Sequence, residues 1–165
     1  MMHNKEDYFK QVYATSKNKI YRLCLGFMGN ANDADDLFQE VLIKVWNNLN
    51  SFRQESSIET WMYRITTNTA LLTLNRKNKL QQKKTAYQTD FPHQELGEVQ
   101  ATDTEQEVKK LYAAISSLKE MDRIIIGLVL ENCSYTDIAN ITGLTTSNVG
   151  VRINRIKKTL TKKLT

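Results

Sequence analysis

The residues best suited to chemistry lie near the C-terminal end. Arg152, Arg155, Lys157, Lys158, Lys162 and Lys163 cluster there, and no acidic residue follows Asp137. Residues 108 to 165 carry ten Lys and Arg against four Asp and Glu, whereas residues 79 to 107 carry three against six. Cations gathered on one helix suit a polyanion, because each phosphate they neutralise releases condensed counterions. A solvated basic tail would show the same charge, so charge alone leaves both readings open. The preceding residues tip the balance. Ser134 to Val149 has the order of a helix-turn-helix, with small Ala139 where two helices must cross closely. Gly143 suits a left-handed turn, and Leu144 and Val149 can plug the angle between the helices.

One of Thr145, Thr146 and Ser147 can cap the second helix, whose Val149, Ile153, Ile156 and Leu160 recur at core spacing. That register puts Gly150, Val151, Asn154, Arg155 and Lys158 outward, with Arg152 and Lys157 available for phosphate. A recognition helix reads bases with its N-terminal residues and grips phosphate on either side.

A second stretch mixes acids, aromatics and cations. Asp33, Asp35 and Asp36 open a helix carrying Leu37, Val41, Val45 and Leu49. Acids in a first turn complement the helix dipole, which is explanation enough for many helices. A polar loop with Phe52 follows, then a helix with Trp61, Tyr63 and Asn68 that ends in Arg76, Lys77 and Lys79. Aromatic faces can stack on bases and an amide can read a base edge. The aromatics can equally be core, and Trp61 falls in line with Ile65 and Leu72.

Positioning these groups takes a set of amphipathic helices. Tyr8, Phe9, Val12, Tyr13, Ser16, Ile20, Leu23, Cys24 and Phe27 recur at helical spacing, and Gly29-Asn30 ends that helix. Asn32 is the expected cap of the second helix, and Ser56 with Glu59 forms a capping box for a third that runs through Trp61, Ile65, Thr69 and Leu72 to about Asn78. Thr104 with Glu107 forms another, before Val108, Leu111, Ile115 and Leu118; Ile124 to Leu130 make one more helix. Between Lys79 and Thr102 the periodicity fails around Pro92 and Gly97, as in a linker. The expected fold is all-α, in two small helical domains joined by a flexible linker: an N-terminal bundle over 1–79, a linker over 80–102 and a C-terminal helix-turn-helix domain over 103–165.

No apolar run is long enough to span a bilayer, and Met1 to Lys10 lacks a signal peptide's apolar core, so a cytoplasmic protein is expected. Cys24 and Cys133, with only His3 and His93, offer no zinc spacing and read as small core residues. No nucleophile–His pairing or phosphate-cradling glycine loop points to an enzyme, and no cofactor is implied.

Residues 33 to 79 resemble region 2 of the bacterial sigma factors, in particular the small extracytoplasmic-function class, and residues 111 to 164 resemble region 4. The resemblance implies a subunit that binds core RNA polymerase and promoter DNA, with an anti-sigma factor as a further partner to look for. It implies that Asp33, Asp36, Gln39, Glu40 and Lys44 face the clamp helices of the polymerase's largest subunit. It assigns Phe52 and Asn68 to the pocket for an unstacked −10 base and Trp61 to the same −10 element, with Arg76 and Lys77 on the backbone nearby. It assigns Ser147, Asn148, Val151, Arg152, Asn154, Arg155 and Lys158 to the −35 element. Departures are informative: Gly150 stands where the family has a basic residue, Val151 where it has serine and Lys119 where it has proline. Val151 can instead pack on a thymine methyl. A stand-alone helix-turn-helix regulator is the other function compatible with the C-terminal half.

Overall fold

The computed structural model describes residues 4–83 and 103–165, and all regular structure among them is helical. Helix α1 (Lys5–Met28) starts at Asn4, whose side chain accepts from the Glu6 N–H, and stops where Gly29 turns left-handed at φ 82°. It buries Val12, Ser16, Ile20, Leu23, Cys24 and Phe27 as its spacing predicts; Tyr13 stays exposed beneath Lys17. Helix α2 (Ala31–Asn48) is capped by Asn30 rather than Asn32: the Asn30 backbone is extended and its Oδ1 accepts from Asp33 N at 2.9 Å. A short 3-10 turn, Leu49–Ser51, leads into the loop before α3 (Ile58–Lys83). There Ser57, not Ser56, is the cap, accepting from Thr60 N at 3.1 Å.

Helix α3 follows its expected line only in part. Thr69 is buried as expected, but Leu72 is half exposed, and Met62, Tyr63, Thr66, Thr67, Ala70 and Leu74 are buried outside that line. Thr66 and Thr69 can enter the core because their hydroxyls donate to the carbonyls of Met62 and Ile65, at 2.8 and 2.7 Å. The helix also continues past Asn78 to Lys83, into the start of the expected 80–102 linker; residues 84–102 of that linker lie outside the described residues.

The C-terminal half comprises α4 (Asp103–Ser116), α5 (Glu120–Leu130), α6 (Tyr135–Thr142) and α7 (Thr146–Leu164). Thr104 lies inside α4 rather than capping it, and α5 begins four residues before Ile124. Ile115, Ile124, Ile125, Leu128, Ile138, Ile153 and Ile156 form the core of this half.

The two halves pack directly on one another through α1 and α5. A Cβ on Gly127 would sit 2.9 Å from the Phe27 ring, so only glycine lets the helices approach this closely. Arg123 Nε donates to the Phe27 carbonyl at 3.0 Å, satisfying an otherwise free acceptor at the end of α1. Arg22 reaches across to Glu131 with two bonds, of 2.6 and 2.9 Å, and the Glu131 side chain is only 7% exposed. A charge reversal should expose this coupling. Arg22→Glu and Glu131→Arg should each lower thermal stability, and the double exchange should recover about 1–2 kcal/mol of the loss. Strictly additive losses would show that the pair does not couple the halves.

Candidate nucleic-acid interface

Helix α7 is held by its buried stripe, and everything else about it follows. Val149 and Ile153 are fully buried, Ile156 and Leu160 nearly so, and Thr145 caps the helix by accepting from Asn148 N at 3.1 Å. The turn before it closes at Gly143, left-handed at φ 78°. With that face committed to the core, Ser147, Asn148, Val151, Asn154, Arg155 and Lys158 are exposed and Arg152 is half-buried. Val151 is 68% exposed, an isolated methyl-bearing surface among polar groups. Gly150 lies beside the Tyr135 ring, which its missing Cβ would meet at 3.6 Å.

Three of these side chains are linked through a residue that sequence reading passes over. Arg152 Nε donates to Asn148 Oδ1 at 2.8 Å, while Arg152 Nη1 and Arg155 Nη2 both reach Asp122 Oδ1, at 3.3 and 3.4 Å. Asp122 belongs to the first turn of α5. Starting that helix at Ile124 places Asp122 in a loop and hides the acid's position; first-turn acids at Glu120 and Asp122 were the available signal.

In the N-terminal half, α2 packs on α1 and α3 but on none of the C-terminal helices among the described residues. Among the described residues its outer face is thus unobstructed. Asp36 and Gln39 are exposed, and Glu40 and Lys44 form an i,i+4 pair at 3.9 Å. Ile43, 61% exposed, adds an apolar residue to the same face; an apolar position off the core stripe was its signal in sequence.

Asp33 and Lys77, expected to serve different partners, pair with each other at 2.5 Å. Burial pushes the Asp33 carboxyl up, but hydrogen bonds from Lys77 and Asn30 and the lysine's charge outweigh it, leaving it below the usual carboxylate range. A lowered native pKa means that the pair stabilises the fold above about pH 4 and loses this as pH falls through the lowered value. The stability gap between wild type and Lys77→Ala should therefore close in acid. A gap of unchanged size at pH 2 would contradict the pairing.

The loop aromatic Phe52 is half-buried against Trp61, with ring centroids 5.2 Å apart and planes tilted by 48°. Trp61 also packs on the core, so it anchors the Phe52 ring to the body of the fold. Arg64 and Asn68 are exposed and follow Trp61 at i+3 and i+7, which puts the three along one face of α3. Arg76 is exposed further along. Cys24 is fully buried, and burial pushes its thiol up to about 12; Cys133 is half-buried, and burial pushes it up to about 11. Both are therefore neutral thiols rather than nucleophiles. No helix among the described residues is long and apolar enough to cross a membrane.

Comparison with known proteins matches residues 12–80 to the sigma-70 region 2 model and residues 109–160 to the sigma-70 region 4 model. The extracytoplasmic-function RNA polymerase sigma factor SigW of Bacillus subtilis is 28% identical, with 96% of this chain and 90% of that protein covered. RNA polymerase sigma factor YlaC of the same organism is 30% identical, with 97% and 91% covered. Among solved structures, the sigma factor RpoE bound to the anti-sigma factor NepR from Bartonella quintana superposes with a TM-score of 0.79 at 21% identity, over 94% of this chain and 96% of that one. CnrH, in complex with the cytosolic domain of CnrY, gives 0.66 at 19%, over 96% and 88%.

Proposed function

The chain belongs to the sigma-70 family of RNA polymerase sigma factors, in its extracytoplasmic-function class, and from that premise we propose how its surfaces divide the work of promoter recognition. It is a sigma factor: it binds core RNA polymerase and directs promoter-specific initiation. In the proposed division, domain 1–79 carries core binding and −10 recognition and domain 103–165 carries −35 recognition. The outer face of α2, with Asp36, Gln39, Glu40 and Lys44, docks on the polymerase. Phe52, Trp61 and Asn68 capture an unstacked base of the −10 element, with Arg76 on the backbone. Lys77 reaches DNA only by leaving Asp33. Helix α7 reads the −35 element with Ser147, Asn148, Val151 and Asn154 and grips phosphate with Arg152, Arg155 and Lys158.

The observation that carries this reading is the α7 register. Its buried stripe leaves the candidate DNA contacts outward while region 2 is matched separately on residues 12–80. A stand-alone helix-turn-helix regulator would leave that second match unexplained.

Energetics support a polymerase-dependent mechanism. Unstacking costs on average about 1.4 kcal/mol per step, so opening about ten pairs requires on the order of 14 kcal/mol. One or two captured bases return only about 1–3 kcal/mol each. The factor therefore selects and traps an opening that the polymerase must help to drive. It acts as an initiation factor rather than an enzyme, in the cytoplasm where the polymerase works. An anti-sigma factor is a further partner to test, since both solved structures of this fold named above were determined as complexes. Genome-wide run-off transcription with the purified chain and core polymerase should select a discrete promoter set with two elements. Failure to bind core polymerase would sink the reading.

A further inference from the structure

We propose that Asp122 is a positioning residue for promoter recognition, orienting Arg152 and Arg155 so that α7 discriminates between sequences rather than merely adhering to DNA. The proposal rests on α7 being the DNA reader. An acid next to DNA-facing cations is at first sight a liability, since it subtracts charge from a surface that binds phosphate. Its placement argues for a different role. The Asp122 side chain is only 12% exposed, while the Arg155 side chain is 60% exposed and that of Arg152 is 30% exposed. The carboxylate thus lies behind the arginines, on the rigid first turn of α5, and not on the surface that meets DNA.

A single oxygen, Oδ1, takes Arg152 Nη1 at 3.3 Å and Arg155 Nη2 at 3.4 Å. Asn148 Oδ1 fixes the Nε edge of Arg152 at 2.8 Å. Asn148, Arg152 and Arg155 follow one another at i, i+4 and i+7 along α7, so one acid anchors a continuous row of the recognition helix. The contacts are long for charge-assisted bonds, and Nε and Nη1 of Arg155 make no hydrogen bond among the described residues. The arginine therefore keeps donors for a base edge or phosphate while its direction is set from behind. Long side chains held in one rotamer lose less freedom on binding, and that advantage applies only to a sequence whose acceptors match the held geometry.

The test uses the full chain with Asp122→Ala and Asp122→Asn. Affinity is measured over a salt series for a duplex bearing a selected upstream element and for a random duplex, with thermal melting alongside. If Asp122 positions the arginines, Ala should hold or raise affinity for random duplex yet lower the specific-to-random ratio about tenfold. Asn, which keeps an acceptor oxygen without the charge, should recover part of that ratio. Equal gains on both duplexes would mean that Asp122 acts only as a charge, and equal losses with a lower melting temperature would make it a structural tether; either overturns the proposal. A wild-type chain with no preference between the duplexes would overturn the reading of α7 itself, and the proposal with it.

Discussion

Ile153→Ala should destabilise the C-terminal half by about 2–5 kcal/mol and abolish binding to the upstream promoter element. Val151→Ala, two residues away on the same helix, should leave stability within about 0.5 kcal/mol. Ile153 is fully buried among the side chains that seat α7, whereas Val151 is 68% exposed. Removing the buried side chain opens a cavity where α7 meets the C-terminal core, and a recognition helix that loses its seat loses every contact at once. Val151→Ala should instead weaken discrimination at one base pair, by about 1 kcal/mol if it packs on a thymine methyl. Thermal melting with duplex titration checks both. An Ile153→Ala chain that melts and binds like wild type would mean the outward face of α7 has been assigned in the wrong register.

That register is legible in sequence because it is local. Val149, Ile153, Ile156 and Leu160 repeat at helical spacing, and Gly29 and Gly143 sit where the chain turns left-handed. Caps slip by one or two residues where neighbours are chemically interchangeable: Asn30 competes with Asn32, and Ser57 with Ser56. The buried face of α3 is obscured for another reason. Thr66 and Thr67 count as polar in any periodicity, yet both are buried, and Thr66, like Thr69, returns its hydroxyl to the helix's own carbonyls. What leaves no local trace at all is long-range pairing. Nothing near Arg22 announces Glu131, nothing near Phe27 announces Gly127, and nothing on α7 announces Asp122. The candidate surfaces are thus readable from the chain, while the groups that orient them are not. Lys77 shows the consequence: expected among the DNA contacts, it is held by Asp33 in the folded chain.

Phe52→Ala should leave core-polymerase binding and upstream-element binding intact and reduce promoter opening by about five- to 150-fold. The Phe52 ring is fixed at the mouth of α3 by Trp61, 5.2 Å away, and remains only half-buried, so a base can reach it. Losing one stacking partner costs about 1–3 kcal/mol, which is roughly five- to 150-fold in an equilibrium. Asn68→Ala, on the exposed face two turns beyond Trp61, removes a neutral hydrogen bond of about 0.5–1.5 kcal/mol and should give a several-fold loss. Phe52→Tyr keeps the ring and should keep most of the activity, which separates stacking from a general loss of fold. A template already melted across the −10 element removes the cost of opening but not the loss of the captured base, so both defects should shrink without vanishing. Asp36→Ala supplies the opposite pattern: it should weaken the complex with core polymerase and leave base capture unchanged once that complex is saturated. If Phe52→Ala and Asn68→Ala open every selected promoter as wild type does, the base is held elsewhere. If their defects disappear completely on the melted template, these residues assist strand separation and do not form the pocket.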